Sequence, residues 1–213
     1  MKIVVTERNL APHRAALETG LPPGSEVVWT SGAAELEAEV GDAEVLVSSR
    51  TTPAIGALGK QLRLVHVVGA GYEGIDVASL RAGAQVANTF HHEDSMAEYV
   101  LAATIMLRRG FLRQHVRLAG GRWDSPAYDP ASPWTNTLEG ASVGFVGFGH
   151  IGSRAWDGLK AFGAIGHAAT RRGDVDASAH GLRWTGSIDD LPQLLDEADV
   201  LVLSAPLTET TTG

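Results

Sequence analysis

The residues whose types and spacing most clearly suggest chemistry are Gly147, Gly149 and Gly152, in the run Gly147-Phe148-Gly149-His150-Ile151-Gly152. This is G-x-G-x-x-G, and each glycine answers a separate need. The first permits a tight turn, the second lets backbone approach a pyrophosphate, and the third lets helix and strand pack closely. Free N–H groups at a helix start, with the helix dipole behind them, then attract a diphosphate. In a chain with 25 glycines among 213 residues the run alone is weak evidence, so its flanks decide. The β-formers Val143, Phe145 and Val146 lead into it. From Ser153 to Phe162, residues Ala155, Trp156, Leu159 and Phe162 make one apolar helical face. A second strand, residues 165–170, follows Gly163. Strand, glycine turn, helix and strand form the context in which the motif reads as dinucleotide binding.

The end of that second strand bears on which dinucleotide. NAD sites usually place Asp or Glu about 20 residues past the glycines, on the ribose 2′-OH. Here Thr170 stands there, followed by Arg171 and Arg172. No carboxylate repels a 2′-phosphate, and two guanidinium groups can pair with one. The residues therefore favour NADP, with NAD possible; the competing reading is a pair of solvated loop arginines.

Elements must hold this unit in place. Residues 1 to about 90 alternate strands (2–6, 26–29, 44–48, 64–68, 85–87) with helices (12–18, 33–40, 53–59, 77–82). Such alternation predicts an α/β fold with a parallel sheet covered on both faces. Ligands bind beyond the carboxyl ends of such strands, which singles out two loops, 48–52 and 67–76. Backbone N–H groups around Gly69–Gly71 could form an anion nest suited to a substrate carboxylate, or merely a glycine-rich connection. Arg50, in the other loop, reads from spacing alone as a surface arginine.

One long helix is expected over residues 93–119. Its apolar stripe is Ala97, Val100, Leu101, Thr104, Ile105 and Leu107, and Ser95 or Asp94 caps its start. His91 and His92 precede it and read as polar loop residues, since no third metal ligand stands near. Residues 120–137 carry three prolines, two tryptophans and a tyrosine without periodicity, an irregular arm whose aromatics suit a contact with a second copy. Past Arg172 a polar loop is expected, then a helix capped by Ser187 with Asp189 and Asp190 in its first turn, then a strand over 199–203. The net charge of −8 and pI of about 5.4 disfavour nucleic acid and membrane surfaces as partners. The absence of cysteine excludes a disulfide framework and a thiolate zinc site, and no metal site is expected. No apolar stretch approaches membrane-spanning length, and the first residues read as a strand, so the expected setting is cytoplasmic.

Together these motifs resemble the D-isomer-specific 2-hydroxyacid dehydrogenases, especially glyoxylate/hydroxypyruvate reductases. The matching segments are Val68–Asp76, Asn88-Thr89 through Ala97-Glu98-Tyr99, Gly147–Gly152 and 199–211, with Gly121-Arg122-Trp123 and Leu138-Glu139-Gly140 as lead-in. The resemblance implies a flavodoxin-like substrate domain (1–98), a linking helix and dimerisation arm (99–140), and a Rossmann-like NAD(P)-binding domain (141–213), incomplete at its end. It implies hydride transfer between NAD(P)H and a small 2-keto acid, in a homodimer. Carried over by position, Ala70 and Gly71 meet the substrate carboxylate; Arg50, from its loop beyond a strand end and not from the resemblance, is a further candidate substrate contact. His150 and Ile151 meet the diphosphate, Thr170 to Arg172 the adenosine ribose, Ala205 and Pro206 the cofactor's far side, and Thr104 lies where the long helix nears the cofactor.

The family's catalytic arginine, carboxylate and histidine lie beyond the last matching segment, so no catalytic residue is assigned within this chain. The expectation is a fragment of a longer enzyme, inactive alone and ending its sheet on an exposed edge. The alternatives are a non-catalytic nucleotide-binding regulator and a related dehydrogenase acting on formate or phosphite.

Overall fold

The computed structural model describes residues 1–208 and 211. The chain divides into two compact units, residues 1–90 and 91–213. The last four residues that the sequence reading assigned to the nucleotide domain, apart from 211, lie outside the described residues.

The first unit is built from β1 (Lys2–Val5), α1 (Arg14–Thr19), β2 (Glu26–Trp29), α2 (Ala33–Glu39), β3 (Val45–Val47), α3 (Pro53–Leu58), β4 (Leu64–Val67) and β5 (Gln85–Asn88). The five strands are parallel in the order β2-β1-β3-β4-β5, the flavodoxin-like order. Alternate residues of β1 face opposite layers. Val4 joins Leu46, Ile55, Leu62 and Val65 on one face, while Ile3 and Val5 join Val47 on the other. Both faces are apolar, which is why these strands read as continuous hydrophobic runs.

Two helices expected here differ from the sequence reading. The segment 12–18 begins as a 3-10 turn over Arg8–His13, because Pro12 has no N–H to give an α-helix, and α1 starts at Arg14. The segment 77–82 shortens to a single 3-10 turn, Val77–Ser79, since Leu80 is already extended and Gly83 turns the chain at φ 83°.

The second unit contains α4 (Glu93–Arg109), α5 (Phe111–Ala119), β6 (Ser142–Val146), α6 (His150–Ala161), β7 (Ile165–Thr170), α7 (Ala177–His180), β8 (Trp184–Ser187), α8 (Leu191–Glu197) and β9 (Val200–Leu203). Its strands are also parallel, in the order β8-β7-β6-β9. The chain runs outward from β6 through β7 to β8, then crosses to β9 on the other side of β6. That is the Rossmann-like pattern, with its reversal point between β6 and β9. Trp156 and Leu159 of α6 pack under Phe145 and Ala168 with Ala97, Val100, Leu101 and Ile105 of α4.

Several local expectations are corrected. The helix predicted over 93–119 is two helices, because Gly110 adopts φ 62° and ψ 35° and its N–H closes on the Leu107 and Met106 carbonyls. Neither Ser95 nor Asp94 caps α4; the Ser95 hydroxyl donates to the His92 carbonyl, and Asp94 pairs with Arg154. Leu107 and Phe162 leave the apolar faces assigned to them and are 75% and 56% exposed. The polar loop after Arg172 contains α7 and the edge strand β8, both too short to impose a period. Ser187 does cap the turn that enters α8, in a reciprocal arrangement with Asp190.

The segment between α5 and β6 has no regular structure but is anchored. The Asp124 carboxylate meets Arg113 at 3.4 Å and Arg117 at 3.0 Å, and accepts the Ser132 hydroxyl at 2.6 Å. Around this anchor Trp123, Tyr128 and Trp134 stay exposed.

Candidate functional site

The glycine run forms the turn between β6 and α6, at the carboxyl edge of the sheet beside its reversal point. Gly147 has φ 85°, a left-handed conformation that favours glycine. A Cβ there would stand 2.8 Å from the Ala205 nitrogen. The chain after β9 therefore lies directly on this glycine, fastened by the Ser204 hydroxyl to the Gly147 carbonyl at 2.8 Å. Gly152 is equally confined, its notional Cβ lying 3.1 Å from both the Gly147 carbonyl and the Ser204 hydroxyl. Gly149 is the opposite: apart from its chain neighbours, no described residue lies within 4 Å of a Cβ built there.

Two glycines are thus required by the protein's own packing and one faces open space, the division of roles a bound pyrophosphate asks for. Gly149 is also the N-cap of α6 and supplies no side-chain cap. The N–H groups of Ile151 and Gly152 have no hydrogen-bond partner among the described residues, so the start of α6 offers uncapped donors and its positive dipole end. His150 sits in the first turn beside them. Of the sequence-derived cofactor residues, the structure brings together Gly147, Gly149, Gly152, His150, Ile151 and Ala205. Pro206 follows Ala205, its carbonyl held by the Thr211 hydroxyl at 2.8 Å.

Thr170 ends β7, on the same edge. Its hydroxyl accepts the Gly173 N–H at 3.0 Å and closes the turn that carries Arg171 and Arg172. Gly173, at φ 66°, packs on the backbone of Ser187. Arg171 is exposed and makes no hydrogen bond or close ion pair among the described residues, though its charge also acts on Asp174. Arg172 is not free: its Nε donates to Asp174 at 2.6 Å, and this hydrogen bond holds the Asp174 carboxyl below its ordinary pKa. Asp174 carries no sign in the sequence, where the carboxylate of an NAD site is expected at position 170.

In the first unit the two loops singled out by sequence meet each other. The Thr51 N–H donates to the Gly74 carbonyl at 3.0 Å, and the Asp76 N–H donates to the Thr51 hydroxyl at 2.8 Å. A Cβ on Gly74 would strike the Ser49 carbonyl. Arg50 lies between, exposed, with its guanidinium unpaired among the described residues and its N–H on the Ser48 hydroxyl. The amides of Ala70 and Gly71 have no hydrogen-bond partner among the described residues. None of Gly69, Gly71 and Gly74 has positive φ, so these donors do not come from a left-handed nest. Two carbonyls instead are fastened on the β5 side: the Thr89 N–H donates to Gly69 at 3.0 Å and the Asn88 side chain to Ala70 at 2.7 Å.

Thr104 lies in the second unit. It is buried on α4, and its hydroxyl donates back to the Val100 carbonyl at 2.7 Å. No described hydrogen bond links it to the glycine turn. His91 and His92 form the turn into α4, and no cluster of three His, Cys, Asp or Glu among the described residues is arranged to hold a metal.

Comparison with known proteins matches this geometry. Residues 101–213 match the model of the D-isomer specific 2-hydroxyacid dehydrogenase NAD-binding domain. The chain is 32% identical over 193 residues to the chloroplastic/mitochondrial formate dehydrogenase of Arabidopsis thaliana, covering 84% of this chain and 47% of that protein. It is 24% identical over 190 residues to the glyoxylate reductase of Thermofilum pendens, covering 86% of this chain and 55% of that one. The solved D-lactate dehydrogenase from Aquifex aeolicus, complexed with NAD and lactic acid, superposes at a TM-score of 0.77 with 22% identity, over 99% of this chain and 62% of that one. A Granulicella formate dehydrogenase superposes at 0.73 with 25% identity, over 95% of this chain and 54% of that one. The chain spans about half the length of the curated relatives it matches. With the glycine turn at the sheet's reversal point and a family model matched over more than half its length, the chain belongs to the D-isomer specific 2-hydroxyacid dehydrogenase family.

Proposed function

We propose that this protein is the dinucleotide- and substrate-binding portion of an NAD(P)-dependent oxidoreductase that reduces a small 2-keto acid, such as glyoxylate or hydroxypyruvate. The observation that carries the reading is the turn at 147–152, where Gly147 and Gly152 are enclosed by protein and Gly149 is open. The amides of Ile151 and Gly152, with His150 beside them, would hold the diphosphate. The nicotinamide cofactor supplies the hydride. The protein's part is to bind and orient: the free amides of Ala70 and Gly71 suit a carboxylate, and Arg50 adds a cation on the neighbouring loop. Thr170 in place of a carboxylate, with the Arg171 guanidinium exposed and free of hydrogen bonds among the described residues, supports NADP over NAD.

A second reading is favoured by the relatives. Several of the similar curated proteins carry the name formate dehydrogenase, and formate is also a carboxylate that backbone N–H donors can hold. The deciding assay supplies the full-length protein with NADPH or NADH and a panel of 2-keto acids, and separately with formate and the oxidised cofactors. Loss of reduced-cofactor absorbance with a keto acid is expected. Formation of reduced cofactor from formate alone would transfer the proposal to formate oxidation. Tight dinucleotide binding without turnover of either kind would favour a regulatory, non-catalytic role.

The exposed Trp123, Tyr128 and Trp134, with Leu112 and Val116 of α5, support a second copy of this chain as partner. Sedimentation is expected to show a dimer that Trp134→Ala with Val116→Asp shifts toward monomer; an unchanged monomeric wild type would remove this part of the proposal.

A further inference from the structure

We infer that Asn88 is a positioning residue, one that aims the Gly71 N–H at the substrate carboxylate without touching substrate itself. The inference rests on the reading of residues 69–76 as the substrate loop. A trans peptide is planar, and its C=O and N–H point in opposite directions. The carbonyl of Gly69 and the N–H of Ala70 belong to one such plane; the carbonyl of Ala70 and the N–H of Gly71 belong to the next. Both carbonyls are fastened from the β5 side, Gly69 by the Thr89 N–H at 3.0 Å and Ala70 by the Asn88 amide at 2.7 Å. Both N–H groups are therefore turned away from β5 as a pair, and neither has a protein partner among the described residues.

The two fastenings differ in what they require of the sequence. Any residue except proline at 89 could supply its main-chain donor. At 88 the donor is a side chain of one length, at the last residue of β5. Gly71 makes that side chain necessary, because a glycine peptide rotates freely where another residue would resist. Thr89 is itself secured: its hydroxyl bridges the Val67 carbonyl at 3.1 Å and His66 Nε2 at 3.1 Å. One plane is thus locked by main chain and a braced threonine, the other by Asn88 alone.

The test uses the full-length protein and oxamate, an unreactive analogue of a 2-keto acid. Oxamate affinity, NADPH affinity and melting temperature are measured together, and the Ala70 and Gly71 amides are followed by NMR. In Asn88→Leu, close in shape but without a donor, and in Asn88→Ala, oxamate is expected to bind about ten- to a hundredfold more weakly, the worth of one hydrogen bond to a charged group. The Gly71 amide should lose its response to oxamate while Ala70 keeps most of its own. NADPH affinity and melting temperature should stay at the wild-type values. Undiminished oxamate binding in both variants would overturn the role of Asn88 and leave the substrate loop standing. Parallel losses of oxamate, NADPH and melting temperature would overturn it in favour of a structural role. A wild type whose Ala70 and Gly71 amides ignore oxamate would overturn the substrate-loop reading and this inference with it.

Discussion

Replacing Gly149 with valine is expected to weaken dinucleotide binding at least about a hundredfold while costing the folded protein less than about 1 kcal/mol, the scale of a poorer N-cap residue. The backbone at Gly149 is extended, with φ −93° and ψ −154°, a conformation any residue adopts, and among the described residues none but its chain neighbours lies within 4 Å of a Cβ built there. The new side chain fills only the space above the uncapped start of α6, where a diphosphate must come within hydrogen-bonding distance of the amides. Gly152→Val is the control. Its side chain meets the Gly147 carbonyl and the Ser204 hydroxyl, so it forces the turn and the end of β9 apart and should cost roughly 1–3 kcal/mol of stability in addition to binding. Urea unfolding monitored by tryptophan fluorescence, with cofactor titrations on the same samples, separates the two. Equal destabilisation by both substitutions, or tight cofactor binding by Gly149→Val, would refute the diphosphate site.

That contrast between two glycines of one motif marks how much of the site was legible in the sequence. The motif, its strand and its helix were readable because β-formers and the spacing of Ala155, Trp156 and Leu159 impose periods that few other structures satisfy. The strand order was not, since the pairing of β9 with β6 depends on contacts far apart in the chain. The break at Gly110 was missed because the apolar pattern continues on both sides of it. A glycine after Leu107-Arg108-Arg109 was the available sign, basic residues followed by glycine being a common helix end. β8 was missed because Trp184-Thr185-Gly186-Ser187 does not alternate; it is a strand through its pairing with β7. Asn88 and Asp174 were invisible as functional residues for a shared reason. Each acts through one hydrogen bond, to a carbonyl 18 residues away or to an arginine two residues away, and neither bond has a compositional signature.

Asp174 changes what should be expected of the cofactor preference. Arg171→Ala with Arg172→Ala is expected to weaken NADPH by about ten- to a hundredfold, the worth of a charged contact of about 1.5–3 kcal/mol, and to leave NADH within about twofold. The two arginines do not contribute alike. Arg171 makes no hydrogen bond among the described residues and feels Asp174 only through its charge, whereas Arg172 already donates to Asp174, so a 2′-phosphate must compete with a carboxylate for one guanidinium and also bear that carboxylate's charge. Asp174→Asn removes both penalties. Because the pair is more than half exposed and screened by water, the gain is limited to a few-fold tighter NADPH binding, with NADH unchanged. The gain should shrink when Arg172 is already alanine, to the part owed to the Asp174 charge itself, and a double-mutant cycle measures the difference directly. The preference should also fade with added salt, and as the pH drops below about 6, where a phosphate monoester loses its second charge. Asp174 keeps its own charge through that range, since its hydrogen bond to Arg172 lowers its pKa, so the loss would come from the ligand. Equal weakening of NADPH and NADH in the double alanine variant would make both arginines ordinary surface residues. An NADPH affinity untouched by Asp174→Asn, with the double alanine effect intact, would assign the 2′-phosphate to Arg171 alone and leave Arg172 and Asp174 as a turn-closing pair.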